Sequence, residues 1–261
     1  MMKFCSYLKA DLKRMLCSAK PFLSVILTVG VLLLATLEGI DLHAGVLYIF
    51  SLVMYGMPAM MILVCAAVAY ADSFCEDVEH KYMMQQIIRG NVGAYVFAKM
   101  SGIFLAAMFT TAFGIFLFVN ILHFHLAWVK ESGMEQYGHL LRAGGFRILL
   151  RNRKFGLYFL CYGIQYGLLS GILSLWASYL SLYISNRMLV LAAPMILYYF
   201  TDYLLAGIFP GVVNSELIFS ASNNLFSNDL ISVLFAVVIV IINFMLLGIL
   251  MARKVRRKIS E

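Results

Sequence analysis

Charge is scarce in this sequence. Asp, Glu, Lys and Arg make up 13% of the 261 residues, where an ordinary soluble domain carries about 25%. Apolar residues make up 63%, against roughly 45–50%. So few charges cannot cover the surface of a soluble fold, because most side chains near a domain's outside must face water. Soluble enzymes, nucleic-acid-binding proteins and disordered tails are excluded on that ground. Other absences narrow the choice. No His-Glu-x-x-His, Cys-x-x-Cys or Cys-x-x-His spacing occurs, so neither a metalloprotease nor a zinc site is expected. His123 and His125 are two residues apart and point away from each other on a helix, so one ion cannot take both. No Ser, His and Asp set is placed at membrane depth, which disfavours an intramembrane protease. The five cysteines, Cys5, Cys17, Cys65, Cys75 and Cys161, avoid the expected outer loops, so no structural disulfide is expected. No small-residue cleavage site follows the first apolar run; Glu38 and Asp41 occupy that place, and the first helix is expected to stay as a signal anchor.

What the sequence does have is long charge-free runs: Phe22–Leu37, Val46–Ala71, Met100–Val129, Phe155–Asn186, Met188–Phe209 (broken only by Asp202) and Leu230–Met251. Each approaches or exceeds the ~20 residues that cross a ~30 Å hydrocarbon core, where only helices satisfy their own backbone groups. The expectation is an all-α integral membrane protein of one domain, with six transmembrane helices at about 21–40, 46–71, 97–124, 155–184, 188–209 and 229–251. Of the 20 basic residues, 14 fall on one side of that topology: Lys3, Lys9, Lys13, Arg14, Lys20, Lys81, Arg89, Lys99, Arg187, Arg253, Lys254, Arg256, Arg257 and Lys258. By the positive-inside rule that side, with both termini, is cytoplasmic. The other six, Lys130, Arg142, Arg147, Arg151, Arg153 and Lys154, crowd into the outer loop 125–154, against the rule.

Residues 2–20 read as an interfacial helix. Phe4, Tyr7, Leu8, Leu12, Met15 and Leu16 follow three-and-four spacing, with Lys3, Lys9, Lys13 and Arg14 on the other flank. Pro21 marks the corner into the first span. In the connection after the second span, Ser73-Phe74-Cys75-Glu76 fits a capping box, Asp77 and Lys81 are placed for an i,i+4 pair, and Gly90-Asn91 supplies a stop. A helix over about 74–89 follows. Met83, Met84, Ile87 and Ile88 give it an apolar side in need of a partner surface.

This stretch, SFCEDVEHKYMMQQIIRGNVGAYVFAK, resembles the cytoplasmic coupling segment of bacterial ABC transporter permeases of the type-two exporter class. Phe74, Glu76, Glu79 and Lys99 match the aromatic, acidic and basic positions of that pattern; Lys81 stands where a Gly is usual, and Gly90 where a Pro is usual. The resemblance implies a dimeric permease, formed with a second copy or a homologous chain, above two separate ATP-binding cassette ATPase subunits. Their contact would involve Glu76, Asp77, Glu79, Tyr82, Met83, Arg89 and Gly90. No Gly-x4-Gly-Lys-Ser/Thr loop is present, so ATP and Mg belong to the partner and no cofactor is expected on this chain.

Within the spans, Asp202 is the acid well inside an apolar run, a candidate for a substrate path together with Asn120, Gln165 and Asn243. Packing or a shallow interfacial position explains the same residues. Gly163, Gly167 and Gly171 form a small-residue line suited to close helix approach, more simply within one subunit than between two. The outer loop is expected to hold two short helices around Gly144-Gly145, the second basic and apolar enough to attract anionic lipid or an acidic substrate. The function expected is that of an exporter permease for an amphipathic or hydrophobic substrate such as a peptide, antibiotic or lipid-like molecule. Its rival is a non-transporting membrane interaction, immunity or sensor protein. A channel is disfavoured, because no filter-like sequence or ring-forming acid is evident.

Overall fold

The computed structural model describes residues 2–37, 45–79, 82, 91–184, 186–205, 214–222, 224–226 and 228–260. Among them every regular element is helical: α1 (Met2–Cys17), α2 (Lys20–Leu37), α3 (Val46–Val53), α4 (Met57–Val68), α5 (Ser73–Glu79), α6 (Val92–His125), α7 (Met134–Ala143), α8 (Arg147–Arg151), α9 (Phe155–Leu180), α10 (Arg187–Tyr199), α11 (Ser215–Phe219) and α12 (Asp229–Ser260). Among the described residues, five stretches are long and apolar enough to cross a membrane: Lys20–Leu37, Met57–Glu79, Val92–His125, Phe155–Leu180 and Asp229–Lys258. The chain is thus an all-α protein of membrane-spanning character, and four of its expected spans lie in long apolar helices within a few residues of where charge counting puts them.

Two expected spans differ. The run 46–71 is broken after α3, because Gly56 is extended (φ −120°, ψ −160°) and Pro58 in the first turn of α4 has no amide to continue a ladder. The amides of Val46 and Leu47 bond instead to the carbonyls of Ala127 and Trp128, so α3 is tied to the outer loop. The crossing shifts towards the C-terminus, to Met57–Glu79, and carries Asp72, Glu76 and Asp77 with it. The fifth run, 188–209, contains Pro194, and α10 passes into a wider π-helical turn, Phe200–Leu205; residues 206–209 lie outside the described residues.

The capping box does not form. Among the described residues Ser73 Oγ is buried without a hydrogen-bond partner, and the Glu76 amide bonds to the Asp72 carbonyl, so α5 is the continuation of α4 through a tight turn. Of the expected helix beyond Glu79, only Tyr82 is described; Met83, Arg89, Gly90 and Lys81 lie outside the described residues. The outer loop does fold as two short helices, α7 and α8, flanking Gly144-Gly145. The last helix extends through the basic tail, well past residue 251.

The core is built around α6 against α9. A Cβ on Gly167 would lie 2.8 Å from the Met108 carbonyl, one on Gly163 would lie 3.1 Å from the Ala112 backbone, and one on Gly171 would lie 2.6 Å from the Phe104 ring. The glycine line therefore serves backbone approach within this chain. Ser170, on the neighbouring stripe, bonds to Thr111 and to the Ala107 carbonyl. Both chain ends share one face: Met15 of α1 and Met251 and Val255 of α12 belong to one buried cluster with Tyr70, Phe74 and Tyr95.

Candidate functional site

An ion-pair node joins that face. Lys99 lies two turns into α6, among apolar neighbours, where an isolated ammonium is too costly to persist. Its partner is Asp77 of α5; neither side chain exposes more than 1% of its surface. Asp77 also accepts from the Tyr95 hydroxyl and, at 2.6 Å, from Arg14 of α1. Arg14 reaches on to Glu76 at 3.2 Å. Lys20, at the start of α2, takes both Asp72 oxygens (2.7 and 2.9 Å) and Glu76 (2.6 Å). The rings of Tyr70, Phe74 and Tyr95 stand 5.2–5.9 Å from the Lys99 ammonium, close enough for cation–π attraction. The Tyr70 hydroxyl donates to Asp11 at 2.9 Å.

The node therefore balances four carboxylates (Asp11, Asp72, Glu76, Asp77) against three cations (Arg14, Lys20, Lys99) drawn from α1, α2, the turn before α5, α5 itself and α6. Burial raises the Asp11 carboxyl above its ordinary value, opposed by Lys99 and by the Tyr70 hydrogen bond. Burial also works against the Arg14 charge, but Asp77 more than compensates and holds it protonated. A small cavity of about 70 Å³ beside the node is bordered by Tyr7, Asp11, Arg14, Tyr82, Tyr95 and Lys99. What the node can do is transmit force: displacing α5 pulls on three other helices through bonds that are expensive to break.

The expected ATPase-contact residues divide accordingly. Asp77 is corrected to an internal anchor, because both of its oxygens are taken within the chain and it has no surface for a partner. Glu76 faces Lys20 and Arg14. Glu79, at the exposed end of α5, pairs with Arg187 of α10. Tyr82 is 39% exposed, and the Arg14 guanidinium lies 5.5 Å from its ring centre. Arg14, on the polar flank of α1 by its spacing, reaches the buried Asp77, and no sequence motif marks Asp11, Tyr70, Asp72 or Tyr95. The available signal was Lys99 itself, a charge within an apolar helix that demands an acid nearby.

The four expected path residues do not meet at one place. Asn120 and Asn243 donate to carbonyls four residues back in their own helices, Phe116 and Ile239. Gln165 donates to the Ile218 carbonyl, and Asp202 accepts from the Ser215 amide at 2.7 Å, so these two converge on α11. Among the described residues no group of His, Cys, Asp and Glu is arranged to hold a metal ion. Compared with known proteins, the chain matches no protein-family model, no curated protein and no solved structure.

Proposed function

We propose that the chain is the membrane-spanning permease subunit of an ATP-driven exporter in a bacterial plasma membrane, moving an amphipathic or hydrophobic substrate by alternating access. ATP and Mg would be held by separate ATP-binding cassette subunits, and a second permease subunit, the same or homologous, would complete the pathway. The observation that supports this reading best is the node. The expected coupling segment follows directly on α5, and α5 is bound to α1, α2 and α6 by ion pairs. A push on residues 80–90 from below would therefore move several helices as one body, which a lever between ATPase and membrane requires.

Six crossings, with both termini cytoplasmic, also fit the packing. The chain ends share one face, and the end of α9 meets that face, since Lys258 donates to the Leu182 carbonyl. The start of α12 lies at the outer loop, where the Asn224 amide bonds to the Ala143 carbonyl. A sixth crossing would return the chain between those two points, and Arg187–Leu205, at about 1.5 Å per residue, is long enough for it.

Tyr82 is the position for the test. A photo-crosslinking residue at Tyr82 in native membranes is expected to capture an ATP-binding cassette subunit, and Tyr82→Ala to lower the ATPase activity that co-purifies with the chain. Glu79→Arg should be combined with Arg187→Glu, which restores the intrachain pair and isolates the outward effect. Purification of the folded chain without ATPase activity, with no ATPase captured at Tyr82, would instead support the non-transporting interaction protein.

A further inference from the structure

A second constellation lies at the far end of α6, roughly 40 Å from Lys99 by the rise of the helix. There α6 ends at His125, the outer loop folds over, and α9 begins at Phe155. Trp128, Tyr137, Phe155, Lys130 and Arg153 border an open cavity of about 1010 Å³, with Glu131 and Met134 also in its wall. One side is aromatic, with the His123 imidazole stacked on the Trp128 indole at 3.9 Å. The Trp128 indole stacks on Phe155 (5.5 Å, 18°) and on Phe159 (5.8 Å, 23°), and Tyr137 packs against Phe155. The other side is cationic. Among the described residues, neither Lys130 nor Arg153 forms an ion pair or a side-chain hydrogen bond, and Glu131 engages neither of them.

Arg153 holds an unusual place. It follows α8 in the left-handed conformation (φ 55°), with the Lys154 amide closing onto the Leu149 carbonyl and its own amide onto Leu150. Glycine is the usual residue at that corner, because a side chain there is strained. The corner turns the chain into α9 with an unpaired guanidinium at the cavity wall.

We infer that this cavity binds an amphipathic anion of the phospholipid type. Its acidic phosphate would lie between Lys130 and Arg153, and its apolar chain along Trp128, Phe155 and Met134. The cavity sits where two helices of spanning length meet the outer loop, the level at which rings and cations meet lipid head groups. This site is separate from the node and does not depend on the exporter reading.

The chain has two tryptophans, so Trp176→Phe leaves Trp128 as a reporter within the cavity. The full-length protein in a zwitterionic detergent would be titrated with short-chain phosphatidylglycerol, with phosphatidylcholine of the same chain length and with inorganic phosphate. Saturable change in Trp128 emission is expected with phosphatidylglycerol, at concentrations at least about tenfold below those needed for the other two. Lys130→Gln and Arg153→Gly are each expected to weaken that response about tenfold. Arg153→Gly also relieves the backbone strain, so it should unfold at or above the wild-type temperature, and its loss of binding cannot be laid to misfolding. An equal response to phosphatidylcholine would overturn the anion site. Saturation by inorganic phosphate at the same concentration would overturn the apolar half. Unchanged binding in Lys130→Gln and Arg153→Gly would overturn both.

Discussion

Lys99 and Asp77, 22 residues apart, neutralise each other with almost no exposed surface, and this pair joins α6 to the end of the preceding long helix. The two are not equivalent. Asp77 has Arg14 and Tyr95 as further partners, whereas the salt bridge of Lys99 is to Asp77. The burial that makes the pair strong also makes either half costly alone.

The first prediction follows from that asymmetry. Asp77→Leu strands a buried ammonium and should destabilise the protein by about 3–5 kcal/mol. Lys99→Met leaves Asp77 still bound to Arg14 and Tyr95 and should cost less. The double variant should recover about 0.5–3 kcal/mol relative to the sum of the two. Thermal or denaturant unfolding in detergent measures all three. A costlier Lys99→Met would make Arg14, not Lys99, the lesser partner of Asp77.

Asp11 predicts a pH dependence. Burial raises its folded-state carboxyl value, against the pull of Lys99 and Tyr70. A raised acid contributes stability that is full below the unfolded value, about 3.9, and is lost as pH rises through the folded one. At neutral pH the charge therefore opposes the fold. Asp11→Asn keeps an oxygen to accept from Tyr70, and it should gain stability over wild type as pH rises from about 4 to about 7.5. Melting temperatures of the two proteins across that range test it. A variant that loses ground as pH rises would show attraction to Lys99 outweighing burial.

The helical class and the places of four long helices were legible because lipid imposes one rule on every span, an apolar run of fixed length. The glycine line was legible because spacing of four is the contact line of a helix. Asp77 was not, since a pattern sees neighbours on one helix and offers Lys81, while the true partner is 22 residues on, in the next long helix. Arg14 was misplaced for a related reason: its position on the wheel groups it with Lys9 and Lys13, and only α6 and α5 packed against it show an acid on the inner side. The break at Tyr55-Gly56 carried a signal, glycine followed two residues later by proline, but counting charges alone passes over it.

Orientation can be read with impermeant maleimide in intact cells. Gly144 is a poor probe, since a Cβ there would lie 2.5 Å from the Leu140 carbonyl, whereas one on Gly138 meets nothing within 4 Å. Cys5 and Cys17 are exposed and free, so both are removed for Gly138→Cys and Arg256→Cys, and Cys5 is restored alone as a third probe. Labelling is expected at Gly138→Cys, with Cys5 and Arg256→Cys protected until lysis. The reverse pattern would invert the topology. Protection of only one terminus would mean an odd number of crossings and would remove α10 as a span.

The last prediction concerns Asp202, whose Oδ1 accepts from the Ser215 amide while Oδ2 is buried without a hydrogen-bond partner among the described residues. The Ser215 bond seats the start of α11, and the Tyr198 hydroxyl and the Glu216 amide also lie near this carboxylate. Asp202→Asn keeps an oxygen for the Ser215 amide and deletes the charge; Asp202→Ala loses both. Stability should therefore fall by about 1–3 kcal/mol in Asp202→Ala and stay near wild type in Asp202→Asn. If the charge serves the substrate path, Asp202→Asn should also lower substrate-stimulated ATP hydrolysis in the purified complex while basal hydrolysis holds. Full stimulation in a stable Asp202→Asn complex would confine Asp202 to seating α11, and loss of stability in Asp202→Asn would show that the charge itself is part of the fold.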